Sequence, residues 1–165
     1  HLCRLLTAVH ADPALDLAGA LRQYFAGFLE PLKHDDLVTQ SLRLHVRELL
    51  DPTHVWPELI ERECRAPHMA LIQVLGRHMG VSGVDDDMHR LAFSLAGLIM
   101  QLWTQRDPLQ AIAPQLATAA AVDQWVERLT GYALSMVHGE ITRRQATQGP
   151  ARRASRTSHK KESNA

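Results

Sequence analysis

The stretch from Leu91 to Trp103 constrains the fold of this chain most. Apart from the Trp103 ring nitrogen, the polar side chains in it are those of Ser94 and Gln101 alone. Its length and pattern predict a helix over about 84–105. A surface helix of a globular protein keeps one polar face, and this one has almost none. It must therefore be covered on nearly all sides, either inside a larger core or between its own core and a second subunit.

A second long helix is predicted over about 119–143, because apolar residues recur there at i, i+3, i+4 and i+7. Such a stripe is a packing seam within or between subunits. We expect the two long helices to pair the chain into a homodimer. The predicted interface residues are Ala92, Ala96, Gly97 and Met100 on the first helix, and Trp125, Leu129, Tyr132 and Met136 on the second.

The rest of the chain also reads as helix, and no strand-like alternation occurs. Helices are expected from about 13 to 31, 36 to 50, 53 to 79 with a kink or break at Pro67, and in a short piece before residue 11. The Asp85–Asp87 cluster suits the positive end of the helix that follows it. Prolines 108 and 114 argue for a non-helical connection over 106–114. The fold class is therefore all-α, a bundle of about six helices.

Charge divides the chain into two parts. Of the 18 basic and 18 acidic residues, seven basic residues and one acidic residue lie from Arg143 onward, which leaves 11 and 17 upstream. A ligand-binding and dimerisation domain is expected over 1–145, followed by a basic, disordered tail over 146–165. An acidic body is poorly suited to binding a phosphate backbone over its surface.

No motif of an enzyme or a metal site occurs in the sequence. The ten histidines form no His-Glu-x-x-His pattern, the two cysteines form no Cys-x-x-Cys pair, and glycine-rich phosphate loops are missing. The longest uncharged stretch, 91–105, is shorter than the roughly 20 residues that span a bilayer. We expect a non-enzymatic, cytoplasmic protein without a cofactor and without a membrane segment.

The bulky apolar residues of four helices are either plain core or, if a ligand pocket lies between these helices, its walls. His45 shares an apolar stripe with Leu42 and Leu49, so it is either a core imidazole or a polar group in an apolar cavity. Gln101 has two interpretations as well, a bond across a two-fold interface or a position in the cavity. The predicted pocket residues are Phe25, Phe28, Leu42, His45, Leu49, Trp56, Met69, Phe93 and Gln101.

The run from His45 to Thr53, HVRELLDPT, resembles a motif of TetR/AcrR-type bacterial transcriptional regulators. In one subgroup the middle helix of the C-terminal domain ends in Arg-Glu-Met-Leu-Asp-Pro-Thr, and Leu49 takes the Met position here. Similar short matches are FLEPL at 28–32, APHM at 66–69 and LAFSLAG at 91–97. Together the matches span about Asp12 to Gly139.

The resemblance implies a sensor and dimerisation domain, in which the last two long helices of each subunit form a four-helix dimer interface. In such regulators a helix-turn-helix head reads an operator, and a small lipophilic effector in the C-terminal domain spreads the two heads. The chain begins at His1 without such a head, so we expect operator binding through a missing part of the full-length protein, which would act as a repressor. The alternative function is a helical protein-interaction or scaffold module without a small-molecule ligand.

Overall fold

The computed structural model describes residues 14–34, 37–51 and 60–159, and every regular element in these ranges is helical. The six α-helices of the described residues are α1 (Leu17–Leu29), α2 (Leu37–Leu50), α3 (Ala66–Met79), α4 (Asp86–Thr104), α5 (Arg106–Ile112) and α6 (Val122–His159). Short 3₁₀ turns lie at Glu30–Lys33, Pro114–Leu116 and Ala119–Ala121, and a π-helical turn at Ile60–Arg65 precedes α3. The predicted all-α bundle is confirmed.

Local sequence signals set the helix ends. Asp16 and Asp85 cap α1 and α4, each accepting a hydrogen bond from the backbone N–H three residues later. Pro67 lies in the first turn of α3, directly after the π-helical turn, so the regular α-helix breaks where the proline predicts it. Gly80 ends α3 in the left-handed conformation with φ of 67°.

Two stretches differ from the sequence-based expectation. The predicted connection over 106–114 contains the helix α5, which tolerates Pro108 because the proline lies in the first turn, where no helical N–H bond is required. The last helix continues to His159 instead of ending near residue 143. Its extension contains Gly149 and Pro150 as well as the helix formers Ala151, Arg152 and Ala154, so helix propensity does not account for it. Residues 160–165 lie outside the described part, as do Asp12 and Pro13.

The core lies between α1, α3, α4 and α6. α1 packs mainly on α6, and α3 packs on α4. The fully buried side chains that meet there include Phe25 and Leu29 of α1, Leu71, Ile72 and Leu75 of α3, Met88, Leu95 and Ile99 of α4, and Leu129 of α6. Burying a side chain of this size stabilises the fold by about 1.5–3 kcal/mol, so this cluster fixes how the four helices pack.

α4 and α6 run antiparallel to one another. At the start of α4, the Asp85 carboxylate accepts two hydrogen bonds of 2.7 Å from Arg144 in α6. At the other end of α4, Leu102 lines the same small cavity as Val122 and Trp125 from the first turn of α6. The two long helices that the sequence singles out are therefore neighbours over most of the length of α4.

Candidate functional site

The α4 helix presents two different faces beside its buried stripe. Asp87 is followed by Ser94, Leu98, Gln101 and Gln105 at the spacing of one helix face, and His89 by Phe93, Ala96, Met100 and Trp103 at the same spacing. Asp87 bonds to Arg143 of α6, whereas His89 bonds to His68 of α3. We call the first the Asp87 face and the second the His89 face.

The predicted dimer residues divide among these surfaces and the core. Ala92 and Leu129 are fully buried in the chain's own core, so their place in the predicted interface is corrected: the chain's own helices already cover them completely. Ala96 and Met100 lie on the His89 face, away from α6. Gly97 is exposed, and a Cβ atom built on it would meet no atom within 4 Å.

On α6, Trp125, Tyr132, Met136 and Gly139 follow one another at helical spacing and lead to Arg143, which contacts α4. Tyr132 is 51% exposed, and the Trp125 ring N–H donates to the carbonyl oxygen of Leu116 at 2.9 Å. The outer surface of this helix pair, which we call the α4–α6 face, consists of Ser94, Gly97, Leu98 and Gln101 from α4, and Tyr132, Ser135, Met136 and Gly139 from α6.

The residues that define the α4–α6 face are uncharged, but charged side chains border it: exposed Arg128 lies one turn before Tyr132 on α6, and an ion-pair network lies at the start of α4. Arg143 and Arg144 bond to Glu140 on their own helix and to Asp87 and Asp85 on α4. The Arg144 guanidinium, and then the capping N–H of Met88, hold the pKa of Asp85 well below its usual range. This ion-pair network fastens the start of α4 to α6 and leaves the middle of the face to small and apolar side chains.

Of the predicted pocket residues, Gln101 lines one of three clefts of the described structure, and the others line none of these three. Phe25 is fully buried and packs edge to face against Tyr24, with ring centroids 5.6 Å apart. Phe28 and Met69 are half-buried against the core. The side chains of Leu42, His45 and Leu49, and the whole of Trp56, lie outside the described residues.

Gln101 lies on the outer side of α4, on the α4–α6 face. It lines a groove of about 180 Å³ between α4, α5 and α6, and its amide donates to the carbonyl oxygen of Leu98 at 3.1 Å. A neighbouring cavity between α1, α4 and α6 measures about 30 Å³, roughly the share of one water in the liquid. It is too small for an effector.

The His89 face is the strongest candidate for a ligand surface in the described part of the chain. Phe93 is 67% exposed, which is unusual for a large aromatic side chain on a helix that packs into a core. Ala96, Met100 and Trp103 continue the face as half-buried residues, and α2 packs against the same helix. Ligand sites are mostly apolar with a few oriented polar groups.

The polar groups of this face are a pair of histidines that sequence reasoning missed. His68 Nε2 and His89 Nδ1 lie 2.9 Å apart, and the Phe93 ring lies against His68 with centroids 4.4 Å apart. Burial, and then the neighbouring His89, lower the pKa of His68. The available signal was the position of each histidine in the first turn of one of two consecutive helices. Among the described residues, no group of three or more metal-binding side chains occurs.

Comparison with protein families matches residues 17–139 to the C-terminal domain of the HTH-type transcriptional dual regulator CecR. The chain belongs to this family. The match covers most of the chain and includes all of α1 to α5 and the first half of α6. The resemblance to the C-terminal domain of TetR-type regulators is thereby confirmed at the level of the family.

Comparison with curated proteins and with solved structures finds no match. The family is one of transcription-regulator domains and not of enzymes. In the described ranges, no helix combines the length and the apolar character that crossing a membrane requires.

Proposed function

We propose that this chain is the effector-sensing and homodimerisation domain of a TetR-type transcriptional regulator. Two copies would pair through the α4–α6 face, and a small lipophilic effector would bind against the His89 face. The full-length protein would contact operator DNA through a helix-turn-helix head. The family description calls CecR a dual regulator. Repression by this protein is therefore proposed only from the resemblance of its sequence to TetR-type regulators.

The observation that supports dimerisation best is the chemistry of the α4–α6 face. Exposed or half-buried Gly97, Leu98, Tyr132, Met136 and Gly139 lie together on two antiparallel helices, with no charged side chain among them. Small residues allow two helices to approach closely, and an exposed tyrosine supplies a large contact area at an interface. Two such helix pairs related by a two-fold axis would form a four-helix bundle.

Dimerisation can be tested by placing one spin label on the face. In a background with Cys3→Ser and Cys64→Ser, a label at Ser135→Cys should give an intermolecular distance by pulsed electron resonance, because Ser135 is exposed on α6. A label at Gln73→Cys, which is exposed on α3, serves as the matched control and should give a longer distance or none. A monomer in sedimentation at tens of micromolar would overturn the proposal and favour the interaction module.

Effector binding is proposed at the His89 face because its apolar residues lie beside α2 and α3. A ligand that prefers one spacing of the DNA-reading heads would shift the population of the two states in proportion to its differential affinity. Phe93 is the residue on which this proposal can be tested most directly, since it is largely exposed and its removal should leave the core intact.

The test uses the lipophilic fluorophore 8-anilino-1-naphthalenesulfonate as the probe. Phe93→Ser should reduce its binding and leave the melting temperature unchanged within error. Ile112→Ser removes an apolar side chain that is 84% exposed on α5, away from this face, and is the matched control. Equal loss of binding in both variants, or no loss in Phe93→Ser, would show that the probe does not bind at the His89 face.

A further inference from the structure

The two histidines of the His89 face are joined end to end. Their ring planes differ by 8° and their centroids are 5.2 Å apart, while the two facing nitrogens are only 2.9 Å apart. The ring planes are nearly parallel, and the centroids are much farther apart than the facing nitrogens. The two rings therefore lie side by side in one plane and not one above the other. The contact is therefore a hydrogen bond along the line between the rings and not a stacking interaction.

The number of protons on the pair decides whether this bond exists. When both rings are neutral and hydrogen-bonded, one facing nitrogen carries the hydrogen and donates it, and the other accepts the hydrogen bond. One further proton goes to an outer nitrogen and leaves the N–H···N bond in place, now with a charged donor. After a second further proton, both facing nitrogens carry hydrogen, so the bond is lost and two positive rings face each other.

The position of the pair makes the second proton costly. His68 lies in the first turn of α3 and His89 in the first turn of α4, where helix dipoles disfavour positive charge. Burial and His89 lower the pKa of His68, and no carboxylate of the described residues contributes to that shift.

The charged groups of the neighbouring elements are paired elsewhere or do not act on the pair. Arg65, one turn before His68, bonds to Glu61 at 3.0 Å. Arg90, next to His89, bonds to Asp87 at 2.6 Å, and Asp85 is held by Arg144. The helix α2, which packs on α4, carries Arg43, Arg47, Glu48 and Asp51, and none of these is a cause of the His68 shift.

We propose that the His68–His89 pair is a proton-sensitive latch between α3 and α4. The latch is closed while the pair holds at most one extra proton, and it opens when both rings are charged. In the described residues this is the side-chain hydrogen bond that joins these two helices on the ligand-facing side, so its loss would loosen that side of the domain. The latch needs no effector, and its test is independent of ligand binding.

The sign of the pH dependence follows from the lowered pKa. Because His68 binds its proton more weakly in the folded chain than in the unfolded one, the unfolded chain holds more protons below about pH 6.5. The free energy of unfolding should therefore rise with pH up to the ordinary histidine value and then become constant. The latch should open at the acidic end of this pH range.

The experiment is a titration of the imidazole nitrogens of the whole chain by NMR, combined with amide hydrogen exchange. The pair should take up its two further protons in separate steps, because the second proton places one positive ring beside another. Protection factors in the first turns of α3 and α4 should fall by roughly tenfold through the lower step. Independent titration of both rings at their ordinary values, or two steps without a change in protection, would overturn the latch.

Two variants make the result specific. His89→Gln keeps a hydrogen-bonding side chain beside His68 but cannot carry a second charge, so the lower step and the loss of protection should both vanish. His138→Gln removes an exposed histidine on α6 and should leave both unchanged. Loss of protection that persists in His89→Gln would assign it to another group. The titration of the unaltered chain decides the question even if His89→Gln folds poorly.

Discussion

Replacing Gly97 by leucine should weaken dimerisation while stabilising each subunit. Gly97 is exposed in the middle of α4, and a Cβ atom added there meets no atom within 4 Å. A leucine can therefore be added without disturbing the subunit. Glycine in a helix interior costs about 0.5–1 kcal/mol relative to alanine, so the free energy of unfolding of the subunit should rise by a similar amount.

The effect on association has the opposite sign if Gly97 lies between two subunits. Forcing a large side chain into a close-packed contact costs about 1–3 kcal/mol, and a two-fold dimer contains two copies of the change. A total of about 2–6 kcal/mol corresponds to a dissociation constant raised roughly 30-fold to 20,000-fold. Gly97→Ala should give a smaller increase, since its methyl group extends less far from the helix.

Sedimentation velocity over a range of concentrations measures the dissociation constant, and urea denaturation measures subunit stability. Gln73→Leu adds the same side chain at an exposed position of α3 and should change neither association nor the α4–α6 face. If Gly97→Leu is folded and its dissociation constant agrees with that of the unaltered chain within about threefold, a difference below 1 kcal/mol, Gly97 is not in the interface.

Three further predictions concern the subunit itself. Leu129→Ala should lower the free energy of unfolding by about 2–5 kcal/mol in urea denaturation, because Leu129 is fully buried, whereas Leu44→Ala, at a side chain 63% exposed, should change it by less than about 0.5 kcal/mol. Gly80→Ala should lower the free energy of unfolding by about 1–2 kcal/mol in the same measurement, because φ is 67° at this helix end. Gly83→Ala should be nearly neutral, because Gly83 has open space around it and no positive φ. Equal effects of the two substitutions would contradict the argument from backbone strain. Asp85→Asn should lower the melting temperature near neutral pH and make the melting temperature less sensitive to acid. A carboxylate whose pKa is held low stabilises the fold above its ordinary pKa and loses that contribution as the pH falls. Thermal scans between pH 2 and 7 that match those of the unaltered chain would exclude this role.

The local sequence was sufficient for most of the helices. The apolar run from Leu91 to Trp103 predicts α4, and the aspartates before it predict the cap that Asp85 forms. Pro67 predicts the break at the start of α3. These features depend on a few neighbouring residues, because capping, proline geometry and helical periodicity act over one or two turns.

Periodicity could not show which of the interface-like residues lie in the core of one chain and which lie on its surface. Ala92 and Leu129 satisfy the pattern of an interface as well as Gly97 and Tyr132 do, yet the first two are buried by α1, α3, α4 and α6 within one chain. A stripe of apolar residues shows that something covers it. Which neighbour covers it depends on how the helices pack, and that depends on contacts between residues far apart in the sequence.

By itself, the sequence determined that the chain is all-helical, where most of its helices begin and that α4 must be covered on more than one side. Only the tertiary structure decided which sides are covered by the chain itself. It joined His68 to His89 across two consecutive helices, and it left Phe93 exposed beside them. The physical reason is that a helix fixes the direction of its own side chains, whereas the crossing of two helices fixes which side chains meet.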